Sequence, residues 1–508
     1  MTSFPWLTVL WVLPLVGALV TAFVPRARGD VLSKQVALGF SLLTLVVGAA
    51  IALQFNAGDG MQLTETHTWI SAFGVHYALG VDGLGLLLIL LTVALVPIVF
   101  VASWHEADGQ GPAAFFAWAL ALESFALVVF AATDVFLFYV FFEATLIPAY
   151  FLVGRFGREG RSRAALKFLM FQLGGGLVLL ASVIGLYVVS AQAGNPSYLI
   201  SDLAQLDMST TWERWLFVGF MIAFAVKAPL FPLHTWLADT TEKATPGTSV
   251  LLVCILDKIG TFGMLRYCLG LFPGASQWAT PVVITFALIS IVYGAFLAIG
   301  QDDILRLIGL TSLSHFGFIT LGIFALTTQG GSGSILYMVN HGVGTAALFL
   351  IAGYLIRRKG TSLISEITGV ESKAPVLAGL FLIAGLATLG LPGLSQFVSE
   401  ILVMIAAFDY HWWVGAVAVT GIVLAAFYAL WMYQRTMTGP GIAPVQDLDR
   451  REVGIIAPLA LALVLFGFFP MPLLDAANPT VETLLMHVGV SDDAPTVPAA
   501  DTAEEGDH

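Results

Sequence analysis

Ionisable residues inside long apolar runs are the residues of this sequence most able to do chemistry. A charge at the centre of a bilayer costs roughly 2.5–3.5 kcal/mol on insertion scales, so such residues are normally paired or face a hydrated interior. The alternative is that some of these residues lie near helix ends and reach the membrane interface, and it applies most to Lys167 and Glu123. The six residues are Glu123, Glu143, Glu400, Lys167, Lys227 and Lys258.

A Glu–Lys pair buried in a low dielectric has two states. Aromatic and aliphatic neighbours surround Glu143 in the sequence, and desolvation favours a neutral carboxyl whereas a nearby cation favours the charged form. A buried lysine responds in the opposite sense. When the partners are close both are charged, and when they separate the lysine tends to release its proton. We predict that Glu143 and Lys227 form this switch.

Two histidines and a second lysine supply further sites for protons. Adjacent helical residues do not face the same way, so we expect Lys258 to face the interior and Asp257 to contact a neighbouring helix. His315 and His341 lie in successive apolar runs, and histidine can relay protons near neutral pH. Structural histidines are one alternative. A haem is disfavoured because only one histidine pairing is available, and a metal site lacks further ligands nearby.

Two apolar runs contain helix-breaking residues beside ionisable ones. Proline removes a backbone donor, and the freed carbonyls need a partner in the protein or in a water-filled cavity. Discontinuous helices at corresponding places in two halves indicate an ion path in inverted-repeat transporters. Two ordinary proline kinks are the alternative. The first break reads Lys227-Ala-Pro229-Leu-Phe-Pro232-Leu-His234, and the second reads Leu391-Pro392-Gly393, seven residues before Glu400.

The elements that must position these residues are membrane helices. Of the 508 residues, 58% are hydrophobic and only 11% are charged, against about 25% charged in soluble proteins. This composition excludes a multi-domain soluble enzyme. The apolar runs have about 20 residues, the length that spans a bilayer core. The net charge of −12 and the lack of a basic face argue against nucleic-acid binding. We therefore predict an all-α polytopic membrane protein.

About fourteen transmembrane helices are predicted. Most Lys and Arg residues fall in alternate loops, which the positive-inside rule places in the cytoplasm, so both termini lie on the outer side. The composition, rich in Ala and Gly, and the acidic tail fit a bacterial plasma membrane. The apolar runs are residues 3–24, 33–55, 81–103, 112–131, 134–153, 165–190, 214–238, 246–270, 279–300, 305–326, 334–356, 374–408, 412–435 and 454–475.

The runs divide into five segments. Residues 1–111 hold helices 1–3, residues 112–271 form a first five-helix repeat, and residues 279–437 form a second five-helix repeat. Helix 14 covers 454–475, and 476–508 is an acidic tail predicted to be disordered. Each repeat has its break in its fourth helix.

The two cysteines form no CxxC motif, and neither a Walker A sequence nor a dinucleotide fingerprint occurs, so we expect no metal or redox cofactor in this chain.

Three of these stretches resemble the antiporter-like membrane subunits of respiratory complex I, the proton-translocating NADH–quinone oxidoreductase. The resemblance covers helices 3 to 13. It implies a fold of fourteen helices with two inverted five-helix repeats, and a chain of proton-coupling residues along the membrane midplane. The stretches are Asp134-Val-Phe-Leu-Phe-Tyr-Val-Phe-Phe-Glu143-Ala-Thr-Leu-Ile-Pro148, Lys227-Ala-Pro229-Leu-Phe-Pro232-Leu-His234-Thr-Trp-Leu-Ala-Asp239 and Ala244-Thr-Pro246.

The resemblance also implies a role for each matching residue. Glu400 corresponds to the exit-side residue of the broken twelfth helix, where the L and N types of the family and much of the Mrp-type antiporter family resemble each other in having lysine. Four residues are expected in support: Glu123, Lys167, His234 and Asp257. The main residues are Glu143 as the fifth-helix glutamate, Lys227 as the lysine of the broken seventh helix, Lys258 as the central lysine, and His315 and His341 as central-axis histidines.

A translocase subunit without a redox site of its own is the function implied by this resemblance. NADH, FMN, iron–sulfur clusters and quinone would be bound by partner subunits, so no direct NADH binding is expected here. The partners would be other membrane subunits of the complex, including the L and N types, and lipid. The alternatives are a subunit of an Mrp-type Na⁺ or K⁺/H⁺ antiporter, a subunit of a membrane-bound hydrogenase, and a structural spacer whose buried ions specify helix packing.

Overall fold

The computed structural model describes residues 4–24, 30–440 and 445–491. Helices make up most of these residues. π-helical segments cover Val250–Leu256 and Met264–Leu269. The α-helices are α1 (Trp6–Ala22), α2 (Asp30–Gln54), α3 (Gly83–Ala102), α4 (Pro112–Ala131), α5 (Val135–Ala144), α6 (Leu146–Phe156), α7 (Arg161–Gln192), α8 (Ile200–Leu203), α9 (Thr210–Lys227), α10 (Thr235–Lys243), α11 (Pro246–Ser249), α12 (Lys258–Gly263), α13 (Pro273–Ile299), α14 (Ile304–Phe324), α15 (Thr328–Lys359), α16 (Pro375–Thr388), α17 (Ser395–Tyr410), α18 (Trp412–Met437), α19 (Arg450–Phe468) and α20 (Met471–Val488).

The chain is a multi-pass membrane protein, as predicted. Within the described ranges, eleven helical segments are long and apolar enough to cross a membrane, and α1 and α16 are shorter apolar helices. Three segments, Pro246–Leu269, α14 and α15, are buried throughout their most apolar stretch. A helix that is apolar all round belongs in the interior of a bundle. These three segments therefore form the centre of the protein, and they carry Lys258, His315 and His341.

The first predicted break separates α9 from α10. Helix α9 ends at Lys227, and Pro229 and Pro232 lie in the seven residues before α10 begins. The indole of Trp236 donates to the carbonyl of Val226 at 3.1 Å, so a carbonyl near the broken end still has a partner. This satisfied polar end allows the ammonium of Lys227 to sit at the end of a helix inside the bundle.

The second break separates α16 from α17. Two glycines between these helices, Gly390 and Gly393, have φ of 75° and 94°, a backbone conformation that favours glycine. Asn340 on α15 donates to the carbonyl of Ser395 at 2.7 Å and to the hydroxyl of Ser399 at 3.3 Å. The first turn of α17 is thereby tied to the central helix α15.

A β-hairpin follows α2, so the expectation of an all-α chain is wrong for this segment. Strands β1 (Gln62–Ile70) and β2 (Val75–Val81) pair antiparallel. The side chain of Asp134, at the start of α5, accepts from the backbone N–H of His76 at 2.9 Å and so fixes the hairpin to the bundle. Threonine alternates with other residues in β1, which is a strand signal, whereas the search for helices considered only long apolar runs.

The C-terminal region also differs from expectation. The last predicted span, 454–475, is observed as α19 followed by a separate helix α20, because Pro470 follows the end of α19. The prediction of a disordered tail from residue 476 is therefore wrong for residues 476–488. Apolar residues of α20 recur at helical spacing and are buried, which holds the helix on the bundle. Residues 492–508, the acidic part of the predicted tail, lie outside the described residues. The buried positions are Ala477, Val481, Leu485 and Val488.

Candidate functional site

The carboxyl group of Glu143 occupies the space beside a glycine, Gly176, which has no side chain. Asp134 precedes helix α5, and its carboxylate caps the first turn by accepting from two backbone N–H groups at 2.9 Å. Glu143 lies near the other end of α5 and points at α7. A Cβ atom on Gly176 of α7 would lie 1.6 Å from Oε1 of Glu143. This buried Oε1 has no hydrogen-bond partner in the described structure, so it is free to accept a proton.

Lys227 is close to Glu143 but does not form an ion pair with it. The Lys227 side chain is 1% exposed, and its Nζ donates to the hydroxyl of Thr145 at 3.2 Å and lies 4.7 Å from the ring centre of Phe142. Thr145 and Phe142 flank Glu143 in the sequence. The two charges interact electrostatically, but the described residues contain no Glu143–Lys227 contact within 4 Å. The predicted pair is thus not an ion pair in the described structure, and the ammonium of Lys227 contacts Thr145 and Phe142 instead.

Asp257 lies between the two buried lysines. It is 2% exposed, its charge interacts with Lys258 and with Lys227, and its Oδ2 atom has no hydrogen-bond partner among the described residues. The expectation that Asp257 faces a neighbouring helix agrees with its interaction with Lys227, which belongs to α9. A buried carboxyl between two amines connects the end of the broken helix to the centre of the bundle.

Lys258 is fully buried and contacts a histidine. Its Nζ lies 2.5 Å from Nδ1 of His341 and 3.4 Å from the carbonyl of Val253, which belongs to the π-helical segment before α12. The ammonium also lies 4.4 Å from the ring centre of Phe316. On the far side of the imidazole, Nε2 of His341 lies 3.2 Å from the hydroxyl of Ser312. Lys258 therefore faces the interior, as predicted.

The two histidines stand next to each other without a direct hydrogen bond. Their ring centres are 5.2 Å apart. The Nδ1 atom of His315 lies 2.7 Å from the hydroxyl of Tyr337, and its Nε2 atom lies 3.2 Å from the hydroxyl of Tyr428. Ser312 and His315 are three residues apart on α14, so the serine that contacts His341 shares a helix face with His315.

A tyrosine joins His315 to Glu400. The hydroxyl of Tyr337 donates to Oε1 of Glu400 at 3.0 Å, and Nε2 of Gln396 lies 3.4 Å from Nδ1 of His315. Glu400 is 3% exposed. A Cβ atom on Gly390, in the second helix break, would lie 1.8 Å from Oε2 of Glu400. Glu143 and Glu400 therefore share a feature: the carboxyl of each fills the space left by a glycine.

We call this set of titratable and hydroxyl side chains the buried row. It starts beside the first helix break, crosses the central helices and ends beside the second break. Its first members, from Glu143 to Asp257, interact electrostatically. From Lys258 to Glu400 the members are linked by hydrogen bonds and by the contact between the two histidine rings, and Ser312 is a side contact of His341. Such a row can hold protons and pass them between neighbours as side chains reorient. Its members are Glu143, Lys227, Asp257, Lys258, His341, Ser312, His315, Tyr337 and Glu400.

Three of the expected supporting residues lie outside the buried row. Glu123 is fully buried, and its two carboxyl oxygens lack hydrogen-bond partners within the described ranges, so it does not reach the surface. Lys167 binds Asp239 at 2.6 Å where both side chains are 34% exposed, as expected of a residue at a helix end. His234 stacks on Phe231 in the first break, and its Nδ1 is unpartnered in the described part of the chain.

Sequence reasoning missed the residues that bridge the titratable groups. Tyr337 precedes His341 by four residues on one helix, so the two share a face and the spacing could have identified it. Thr145 and Gln396 carry no comparable signal.

In residues 4–24, 30–440 and 445–491, no group of three or more His, Cys, Asp or Glu residues is placed to hold a metal ion. Cys254 and Cys268 are buried and unpaired.

Sequence comparison identifies relatives that match almost the whole chain. The family described as "NADH:quinone oxidoreductase/Mrp antiporter, TM" matches residues 132–425. NADH-quinone oxidoreductase subunit M of Mycobacterium tuberculosis is 47% identical over 98% of this chain and 97% of its own length. The subunit M of Rhodobacter capsulatus is 35% identical over 95% and 96%. NADH-ubiquinone oxidoreductase chain 4 of Arabidopsis thaliana is 33% identical over 93% and 96%.

Solved structures agree with the sequence relatives. A chain of respiratory complex I from Thermus thermophilus superposes with a TM-score of 0.87 at 33% identity, covering 95% of this chain and all of the other. A chain of the Mrp complex from Dietzia superposes with a TM-score of 0.85 at 20% identity, covering 96% and 100%, which shows a shared fold. The resemblance inferred from the sequence is confirmed: the chain belongs to the family of NADH:quinone oxidoreductase and Mrp antiporter membrane subunits.

Proposed function

We propose that this chain is the M-type membrane-arm subunit of a proton-translocating NADH–quinone oxidoreductase. The observation that carries the proposal is the buried row, because a succession of titratable side chains through the centre of a helix bundle serves proton movement better than packing. The relatives named subunit M and chain 4 support the subunit type. Glutamate at position 400, in place of the lysine expected in the L and N types, supports it as well.

Quinone reduction in other subunits would act on the first end of the row. If a neighbouring subunit moves charge near Glu143, the electrostatic balance between Glu143 and Lys227 changes, and Lys227 loses or gains its proton. Asp257 lies between the two lysines and transmits this change to Lys258. The proton of Lys258 then passes to His341 and onward to Glu400. The glycines opposite both terminal glutamates leave the space that those carboxyls occupy.

The helices fit a count of fourteen transmembrane elements when each broken helix is taken as one. On that count α5 with α6, α9 with α10, and α16 with α17 each cross once, and the two five-helix repeats of 112–271 and 279–437 each hold a broken fourth helix. Their inverted relationship is part of the proposal. We assign the Lys- and Arg-rich loops to the cytoplasm by the positive-inside rule, with both termini outside.

The redox chemistry belongs to partner subunits in this proposal. NADH, FMN, iron–sulfur clusters and quinone would be bound there, and this chain would contact the L- and N-type subunits and lipid. The bacterial relatives support a bacterial plasma membrane as its location. The chain's own contribution would be to hold and move protons, without a redox cofactor.

Native purification tests the proposal. The complex would be isolated in mild detergent through a tag on this chain, its subunits identified, and NADH oxidation coupled to quinone reduction assayed. We expect that activity together with flavin and iron–sulfur subunits. Elution with small membrane subunits alone, and with cation-dependent proton flux in the absence of NADH, would instead assign the chain to an antiporter.

A further inference from the structure

An apolar groove opens on the side of the bundle between α9 and α13. It encloses about 440 Å³, and every residue that lines it is aliphatic or aromatic. Several of these side chains face outward, among them Val282, which is 58% exposed, and Phe286, which is 39% exposed. The groove does not include any member of the buried row. Exposed apolar surface of this kind marks a site where lipid or another protein binds.

The length of the groove matches one leaflet of a bilayer. Its wall on α13 runs from Trp278 to Phe286, which is about 12 Å at the rise of an α-helix. The hydrocarbon core is about 30 Å thick, so one leaflet contributes about 15 Å. At its inner end the groove meets Phe231 and Pro232 of the first helix break. The groove therefore extends from one membrane interface to the depth of that break.

The outer end of the groove carries a cation, Arg214. Arg214 is exposed, and its guanidinium lies 4.7 Å from the ring centre of Trp278. It makes no ion pair with any carboxylate of the described residues. The adjacent Glu213 instead accepts from the backbone N–H of Ala275 at 2.9 Å. Trp215, one residue further, is 71% exposed, and exposed tryptophans are typical of the headgroup level of a membrane.

We propose that this groove binds a phospholipid with an anionic headgroup. The headgroup phosphate pairs with Arg214, and one acyl chain lies between α9 and α13 with its tip against Phe231 and Pro232. Charge complementarity favours an anionic lipid over a zwitterionic one, since Arg214 has no ion-pair partner among the described residues. The bound chain packs directly on the segment that follows Lys227. A structural lipid would thus hold the broken helix from its outer side.

Photo-crosslinking tests the binding. The purified complex would be placed in phosphatidylcholine vesicles that contain phosphatidylglycerol with a diazirine in one acyl chain, and the crosslinked residues mapped by mass spectrometry. We expect crosslinks on the groove faces of α9 and α13, competed by unlabelled phosphatidylglycerol and not by phosphatidylcholine. Arg214→Gln should lower labelling about fivefold, the effect of one cation beside an anionic headgroup, and Arg214→Lys should retain most of it.

Two valine variants distinguish lipid bound in the groove from lipid at the general membrane-facing surface. Val282→Trp fills the groove and should abolish the crosslinks, whereas Val423→Trp, at a similarly exposed valine on α18, should leave them unchanged. Equal labelling of both valine variants would overturn the proposal. So would equal competition by both lipids, which indicates non-specific lipid, or crosslinks to a neighbouring subunit alone, which indicates that a protein helix fills the groove. Val282 is exposed, so Val282→Trp should assemble. It therefore still gives a crosslinking result if Arg214→Gln fails to assemble.

Discussion

Lys258 and His341 share a hydrogen bond of 2.5 Å at the centre of the bundle, where both side chains are fully buried. The contacts around them are consistent with one direction of hydrogen-bond donation, from Lys258 to His341 to Ser312. If Lys258 donates to Nδ1, the imidazole carries its proton on Nε2 and donates to the hydroxyl of Ser312, which in turn donates to the carbonyl of Ile308 at 3.3 Å. A proton arriving at Lys258 therefore has an ordered route into His341.

Replacing Lys258 by Met should stop proton pumping in the assembled complex, because the variant removes the proton carrier at the centre of the row. Ser312→Ala should have a smaller effect. It removes one orienting hydrogen bond to His341, and a hydrogen bond of this kind is worth about 0.5–1.5 kcal/mol, or roughly a two- to twelvefold change in rate. Pumping would be measured as ΔpH formation in proteoliposomes. Equal loss in the two variants would show that Lys258 has no special role.

Tyr337→Phe should lower pumping by at least about tenfold, because a positioned acid or base contributes roughly 10²–10⁴ to a proton-transfer step and other steps also limit the rate. The variant keeps the ring but removes the hydroxyl that joins His315 to Glu400. Tyr354→Phe is the control: this tyrosine is also buried on α15, but its hydroxyl has no hydrogen-bond partner in the described structure. Unchanged pumping in Tyr337→Phe would rule out the tyrosine as a link.

Gly176→Ala should weaken coupling without altering any charge. The new methyl group would lie 1.6 Å from a carboxyl oxygen of Glu143, and the end of the flexible glutamate side chain is the group that moves. Gly174→Ala, two residues away on α7, has nothing within 4 Å of the new methyl group and is the control. Both variants gain similar helix propensity, so assembly should be preserved. Equal H⁺/NADH ratios in the two variants would contradict the placement of Glu143.

A buried ion pair gives a prediction about stability. Arg266 binds Asp82 at 2.6 Å with both side chains less than one-tenth exposed. Arg266→Met leaves a buried unpaired carboxylate and should cost about 3–5 kcal/mol, whereas the double variant with Asp82→Asn removes both charges and should cost less. Asp302 and Arg435, an exposed pair at 3.4 Å, should contribute about 0–1 kcal/mol.

Thermal unfolding of the detergent-solubilised complex would compare these variants. The expected order of midpoint temperatures places Arg266→Met lowest, the double variant above it, and Arg435→Gln close to the unchanged protein. A double variant as unstable as Arg266→Met alone would show that the loss comes from packing and not from the unpaired charge.

The functional importance of the titratable residues was predictable from the sequence, because a charge in an apolar run costs free energy unless it is paired or hydrated. Lys258 was expected to face the interior, and it lies there. The Glu143–Lys227 contact was predicted because a buried acid and a buried base stabilise each other's charged form. The two residues form no ion pair in the described structure because Thr145 provides the nearer partner for the ammonium, a detail that depends on side-chain geometry across two helices.

Glycine roles were not predictable. Gly174, Gly175 and Gly176 follow one another in α7, and only the tertiary structure shows which one faces Glu143. The hairpin after α2 has period-two alternation that a search for strands would detect, and α20 has the buried apolar spacing of a packed helix. Both were missed because membrane-length apolar runs dominated the interpretation of those segments.

Proton pumping by the complex with Lys227→Ala or Glu143→Ala tests the central claim most directly. The H⁺/NADH ratio would be measured in proteoliposomes alongside NADH–quinone reductase activity and subunit composition. If protons move through the buried row, both variants assemble, pumping falls sharply, and coupled turnover falls with it. Full pumping at the unchanged H⁺/NADH ratio in the assembled variants would contradict the account.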